Sequence, residues 1–170
     1  RTGQRVVVIE DEPEMRRNIV RLLRLEGYDP AEAADGVAGL DLVREQKPAL
    51  VICDVMMPGM DGFEVCRRIR SDATIAEVPV LFLTALDDRQ SLLKGLDAGG
   101  DDFISKPPDR YELRARVLSI SRLNRYRKLL DERKNLETTH QQLLLAYDKT
   151  IAGWSRAMDL RDKETEGHSQ

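Results

Sequence analysis

Cysteine is nearly absent from this sequence: Cys53 and Cys66 are the only two in 170 residues. That excludes a disulfide-rich scaffold and a zinc-ribbon pattern, and both thiols sit in apolar stretches where a buried, unoxidised side chain in the cytoplasm is expected. Long apolar runs are absent too. Val6 to Ile9 and Leu143 to Ala146 fall far short of the ~20 residues that cross a bilayer, so no membrane partner is expected. The polar start Arg1 to Arg5 leads straight into a strand-like run, and no secretory leader is expected. Aromatic residues make up only 5%. This matters for the basic stretch between Arg110 and Lys134, where nine Lys or Arg face three acids (Glu112, Asp131, Glu132). Only Tyr111 and Tyr126 accompany those charges, so a solvated helix face is expected there and no direct nucleic-acid contact. The net charge of -3 therefore conceals a local +6 and a balance of -9 elsewhere.

What the chain does contain is alternation. Five short β-rich runs are read at Arg5–Ile9, Asp29–Ala34, Ala49–Cys53, Val78–Leu83 and Asp101–Ile104, with helical patterns between them. Their Val, Ile and Leu content suits strands buried on both faces of a parallel sheet. Pro13 fits the first turn of a helix carrying Met15, Ile19, Leu22 and Leu23, which Gly27 stops. Asp35 can cap a second helix that buries Val37, Leu40 and Val43. Asp61 can cap a third that buries Phe63, Val65, Cys66 and Ile69. A fourth begins at Asp87 or Asp88 and ends at Gly99–Gly100. This predicts an α/β fold, a doubly wound five-stranded parallel sheet, followed by a long C-terminal helix.

From about Asp109 the strands cease, and a helical pattern runs towards Leu160. Leu123, Tyr126, Leu130, Arg133, Glu137, His140, Leu144, Tyr147, Ile151, Trp154 and Met158 recur at steps of three and four, with Leu129, Leu136 and Leu143 beside them. Eight of the eleven are apolar. This heptad pattern predicts a homodimer through the C-terminal helix, with Arg133, Glu137 and His140 as its loosest segment. A parallel pair is expected because it brings both output domains to one end, while the spacing leaves an antiparallel pair or packing on the output domain open.

In doubly wound sheets the chemistry lies beyond the carboxyl ends of the strands. There this sequence places Glu10 and Asp11, Asp54, Thr84 and Lys106. Clustered carboxylates repel one another unless a cation sits among them, and an all-oxygen site suits Mg²⁺ (or Mn²⁺). A carboxylate can attack phosphorus, with an ammonium and a hydroxyl to take the phosphoryl oxygens. Asp54 is the best nucleophile: it follows the most buried strand and precedes the loop Met57-Pro58-Gly59-Met60-Asp61-Gly62, which can turn sharply around it. Taken singly these residues read otherwise, Asp11 and Asp61 as helix caps and Phe103 as core.

The motifs Val7-Val8-Ile9-Glu10-Asp11-Glu12-Pro13, Asp54-Val55-Met56-Met57-Pro58-Gly59-Met60-Asp61-Gly62, Thr84-Ala85 and Asp101-Asp102-Phe103-Ile104-Ser105-Lys106-Pro107 resemble the receiver domains of two-component response regulators, over residues 4–121. The resemblance implies a flavodoxin-like fold phosphorylated on Asp54 by a sensor histidine kinase or phosphotransfer protein. It implies metal ligation by Asp11, Asp54 and the Met56 carbonyl, with Glu10 acting through water. Thr84 and Lys106 would bind the phosphoryl group, Thr84 and Phe103 would serve as switch residues, and Lys106–Pro107 would be a cis peptide. Glu10 departs from the Asp common at its position. Met56 and Leu86, apolar where polar side chains would hold a hydrolytic water, predict a long-lived phosphorylated state.

Residues 122–158 then read as a coiled-coil linker and 159–170 as the start of an output domain. Ala146 to Asp159 with Leu160 to Gln170 resemble the beginning of an HD-GYP domain, a family that hydrolyses cyclic di-guanylate with iron- or manganese-type metals. By that resemblance Glu164 and His168, four apart and on one helix face, match its first two metal ligands. The remaining ligands are absent, so the chain itself is expected not to be an enzyme. Other outputs, a diguanylate cyclase or a protein–protein interaction module, stay open. An aspartyl phosphatase is disfavoured because it would need a second Asp at position 56. A DNA-binding regulator would need a helix-turn-helix where the heptad helix stands, and a stand-alone receiver would lack that helix.

Overall fold

The computed structural model describes residues 3–85 and 89–167, and the side chains of all of these except Arg89, Thr165 and Glu166. Five strands alternate with helices: β1 (Arg5–Ile9), α1 (Pro13–Leu25), β2 (Asp29–Ala33), α2 (Gly36–Gln46), β3 (Leu50–Asp54), α3 (Gly62–Ser71), β4 (Val80–Thr84), α4 (Arg89–Asp97), β5 (Asp102–Ser105) and α5 (Arg110–Gly167). All neighbouring strands are parallel and lie in the order β2-β1-β3-β4-β5, the flavodoxin-like arrangement. Strand order reverses between β1 and β3, and this switch point fixes where a site can form.

The period-two alternation of the strands sorts the core into two layers. Val7, Ile9, Val51, Cys53, Val80 and Phe82 pack with Leu40, Val43, Val65, Cys66 and Ile69 from α2 and α3. Val6, Val8, Leu50, Ile52, Leu81 and Leu83 pack with Ile19, Leu22 and Leu23 of α1 and with Leu113, Val117 and Ile120 of α5. Every residue of β3 and β4 is buried, as strands covered on both faces must be. The sheet edges are β2, whose Pro30 pairs with Val6, and the four-residue β5.

The helix punctuation follows the expected side chains in two cases. The Asp35 carboxylate accepts the Ala38 N–H and the Asp61 carboxylate accepts the Glu64 N–H, both at 2.8 Å. At α1 Pro13 opens the first turn as expected, and having no N–H it removes one donor that would need a partner; Glu12, not Asp11, is the N-cap, and no side chain caps the helix. The expected cap of α4, Asp87 or Asp88, lies outside the described residues. Val37 is also corrected. It is 59% exposed, because α2 turns its glycine face to the sheet instead. A Cβ on Gly39 would collide with Ile9 (Cγ1 at 2.7 Å), so the helix comes closest to β1 there and rotates Val37 outward.

The chain divides into two compact units, residues 1–124 and 125–170. The first holds the sheet and its helices. In the second, every described side chain is exposed. No described helix is long and apolar enough to cross a membrane.

Candidate functional site

The strand ends deliver the side chains. Glu10 and Asp11 follow β1, Asp54 ends β3, Thr84 ends β4 and Lys106 follows β5. Asp54 and Thr84 had been expected just past their strands. Both are instead the last ladder residues, Asp54 paired with Leu83 and Thr84 with Ser105, which fixes their backbones rigidly. The loop after β3 folds back at once, since the Gly62 N–H donates to the Val55 carbonyl at 2.9 Å. A side chain at Gly62 would strike the Asp54 carbonyl oxygen and come within 2.9 Å of Val55 Cα, so the loop closes this tightly only on glycine.

Lys106 lies between two acids. Its ammonium is 2.8 Å from Asp54 Oδ1 and 2.9 Å from Glu10 Oε1, and its side chain is only 15% exposed. The Met56 N–H donates to the same Asp54 Oδ1 at 3.2 Å. Glu10 and Asp54 are buried and Asp11 is exposed at the mouth, yet one oxygen of each lies within 4.8 Å of the others. Burial, together with the neighbouring Asp54 and against the hydrogen bond from Lys106, pushes the Glu10 carboxyl up to about 7. For Lys106, burial alone would lower the ammonium, but the hydrogen bonds and charges of Asp54 and Glu10 outweigh it and raise it.

This arrangement suits a hard divalent cation. Glu10 Oε2 is buried with no hydrogen-bond partner, an oxygen that a bound cation or its water would satisfy. Three carboxylates and an ammonium also offer no base poised against a Ser or Cys. Burial holds the Cys53 thiol well above its ordinary range, with Asp54 adding to the effect, so Cys53 is no competing nucleophile.

Thr84 is buried at the β4 end. Phe103 is half-buried on β5, its ring centroid 5.3 Å from that of Phe82. Lys106–Pro107 is a cis peptide. Two contributors escaped sequence reading. Arg16 on α1 donates to the Glu10 carbonyl at 2.8 Å and pins the turn after β1, and one arginine among four in α1 carries no signal. Gly95 on α4 makes room for Phe103, and only its spacing from the aromatic could have hinted at that. Glu164 is an exposed residue of α5, and its expected companion His168 lies outside the described residues.

Comparison with known proteins adds an independent view. The model of the response regulator receiver domain family matches residues 6–118. RpaA of Synechocystis, a DNA-binding dual master transcriptional regulator, is 37% identical over 88% of this chain and 62% of its own length. The response regulator PleD of Caulobacter vibrioides is 37% identical over 91% of this chain and 32% of its own. The chain thus spans less than two thirds of these curated relatives. Among solved structures, the receiver domain of the sensor histidine kinase PA1611 from Pseudomonas aeruginosa, with magnesium coordinated in its active-site cleft, superposes with a TM-score of 0.66 at 29% identity, covering 71% of this chain and 98% of that one. The receiver domain of the Francisella response regulator 1452 gives 0.65 at 29% identity, with the same coverage of both chains.

Proposed function

Because the chain belongs to the response regulator receiver family, we propose that it accepts a phosphoryl group on Asp54 from a sensor histidine kinase or a phosphotransfer protein and relays that event to an output domain. The observation that carries this reading is the placement of Asp54 at a rigid strand end, with Lys106 at 2.8 Å and the Glu10 and Asp11 oxygens close by. In the reaction an Asp54 carboxylate oxygen attacks phosphorus as the bond from phosphorus to the donor imidazole nitrogen breaks, leaving an acyl phosphate on Asp54 and a free imidazole. Asp11, Asp54 and the Met56 carbonyl would hold Mg²⁺, with Glu10 acting through water. Bound there, the ion supplies positive charge to the transferring oxygens. Lys106 is placed to take one phosphoryl oxygen and the Thr84 hydroxyl another. Thr84 and Phe103 would then report the change away from the site.

Incubation with a small phosphodonor and Mg²⁺ tests the reading: mass spectrometry should show one added phosphoryl group, and none on the Asp54→Asn chain. Uptake that persists in that variant would remove Asp54 from the mechanism.

Beyond the receiver, assigned here to residues 4–121, residues 122–158 act as a linker that pairs in parallel with a second copy. The exposed heptad side chains support this, among them Tyr147 at 65% and Trp154 at 71%. Residues 159–170, with Glu164 and His168, would open an HD-GYP phosphodiesterase, and the likeness of their sequence supports that output. A diguanylate cyclase or an interaction module is the second reading. The uninterrupted helix α5 argues against a helix-turn-helix among the described residues.

A further inference from the structure

Leu129, Leu136 and Leu143 lie outside the unbroken heptad seam, yet they repeat every seventh residue and are 63%, 71% and 65% exposed. They coincide with the segment where that seam fails, since its core positions there are Arg133, Glu137 and His140. A different path removes one of these three polar positions from the core. Tyr126, Leu129, Arg133, Leu136, His140, Leu143, Tyr147, Ile151, Trp154 and Met158 advance by three and four residues throughout, with a single four-four step at Leu143–Tyr147–Ile151. A leucine then separates Arg133 from His140, and Glu137 leaves the core for the flank, where it already lies 3.5 Å from the Arg133 guanidinium. A four-four step locally unwinds a left-handed supercoil without ending it.

The two paths share Tyr126, Arg133, His140 and everything from Tyr147 onward. From Tyr126 onward they differ only in whether Leu130, Glu137 and Leu144 or Leu129, Leu136 and Leu143 face the partner. Passing from one to the other needs each helix to turn by about 50°, half of the angle between successive residues. Placing Glu137 in the core buries a charge, so the leucine path is the lower in energy when nothing biases the pair. The occupant is a second copy of this chain, because a parallel in-register pair sets each leucine row against itself.

Resting on the parallel pairing proposed above, we infer that the middle of the linker pairs through Leu129, Leu136 and Leu143, and that phosphorylation of the receiver turns it towards the alternative row through Glu137. The turn can originate where Leu113, Val117 and Ile120 of α5 pack into the core layer that also holds Leu83, next to Thr84.

Cysteine cross-linking tests this, because Cys53 and Cys66 are fully buried and do not interfere. Leu136→Cys and Glu137→Cys are compared by mild oxidation, with light scattering on each chain and the phosphorylated fraction read by mass. Without a phosphodonor, Leu136→Cys should cross-link faster by roughly tenfold, since disulfide formation follows thiol proximity. With acetyl phosphate and Mg²⁺ that ratio should fall severalfold towards Glu137→Cys. A dimer in which Glu137→Cys leads in both states, or in which phosphorylation leaves the ratio unchanged, overturns the inference but leaves the pairing standing. A monomer in light scattering overturns both.

Discussion

Replacing Gly95 by alanine asks how tightly α4 is bound to the aromatic of β5. A Cβ at Gly95 would collide with Cζ of Phe103, and the two Cε atoms of that ring lie at 3.0 Å from it. The ring is already pressed on Phe82 at a centroid distance of 5.3 Å, so it has no free path inward. An extra methyl in a packed interior costs about 1–3 kcal/mol, and the helical gain of Gly→Ala returns about 1 kcal/mol of that. The net expectation is a receiver less stable by about 1 kcal/mol, or roughly 3–5 °C in melting temperature for a domain of this size. Trimming the ring should relieve the clash, so Gly95→Ala and Phe103→Leu together should cost less than their sum by at least about 1 kcal/mol. Gly153→Ala is the control, with nothing within 4 Å of its Cβ, and should only strengthen its helix. Urea unfolding can be followed by the reactivity of Cys53 and Cys66, buried in the receiver core, so the readout ignores the C-terminal helix. Additivity within about 0.3 kcal/mol, or a Gly95→Ala chain as stable as the parent, would refute the idea of a seat for Phe103 on α4.

Three further outcomes are expected. Because burial raises the Glu10 carboxyl from 4.5 to about 7, the folded state holds its proton more tightly than the unfolded chain does; stability in EDTA should therefore fall as pH rises from 4.5 to 7, by a few kcal/mol at most. Urea midpoints of Glu10→Gln should stay flat across that window, and an equal slope in both chains would count against the assignment. Arg70 donates to the carbonyls of Ala76, Val78 and Gly99 and pairs with Asp101 at 2.8 Å; Arg70→Ala should cost about 2–4 kcal/mol, measured by the same unfolding, while Asp54 still takes up phosphate. Met56, 66% exposed beside Asp54, offers no hydrogen bond to a hydrolytic water, so Met56→Asn should shorten the phosphorylated lifetime about tenfold, worth 1.4 kcal/mol of barrier; an unchanged decay, followed by mass, would dismiss the role of that position.

Legibility differed by element for physical reasons. The buried strands were readable because continuous Val, Ile and Leu have few other uses, yet β3, β4 and β5 each end one residue later than expected. Asp54 looks like a loop residue by propensity, but ladder pairing with Leu83 outweighs propensity at a sheet centre, whereas β-branched Thr84 suits the strand that it ends, paired with Ser105. Val37 was misplaced because apolar periodicity cannot see that Gly36 and Gly39 set the approach of α2. The acids and Lys106 were legible as a set, being polar side chains at successive strand ends. That Lys106 sits between Glu10 and Asp54 was not, since the reach of Glu10 matters only once the distance across the sheet is known.

The two margins of the sheet bear on how copies of this protein can meet. An open strand margin invites another chain to continue the ladder, the route by which many β-rich proteins form unwanted fibres. Here β2 carries Pro30, which has no N–H to offer a newcomer, and β5 is only four residues long. Backbone-to-backbone growth is therefore discouraged on both sides. Self-association is left to side chains, which can be tuned one substitution at a time and undone without unfolding the sheet.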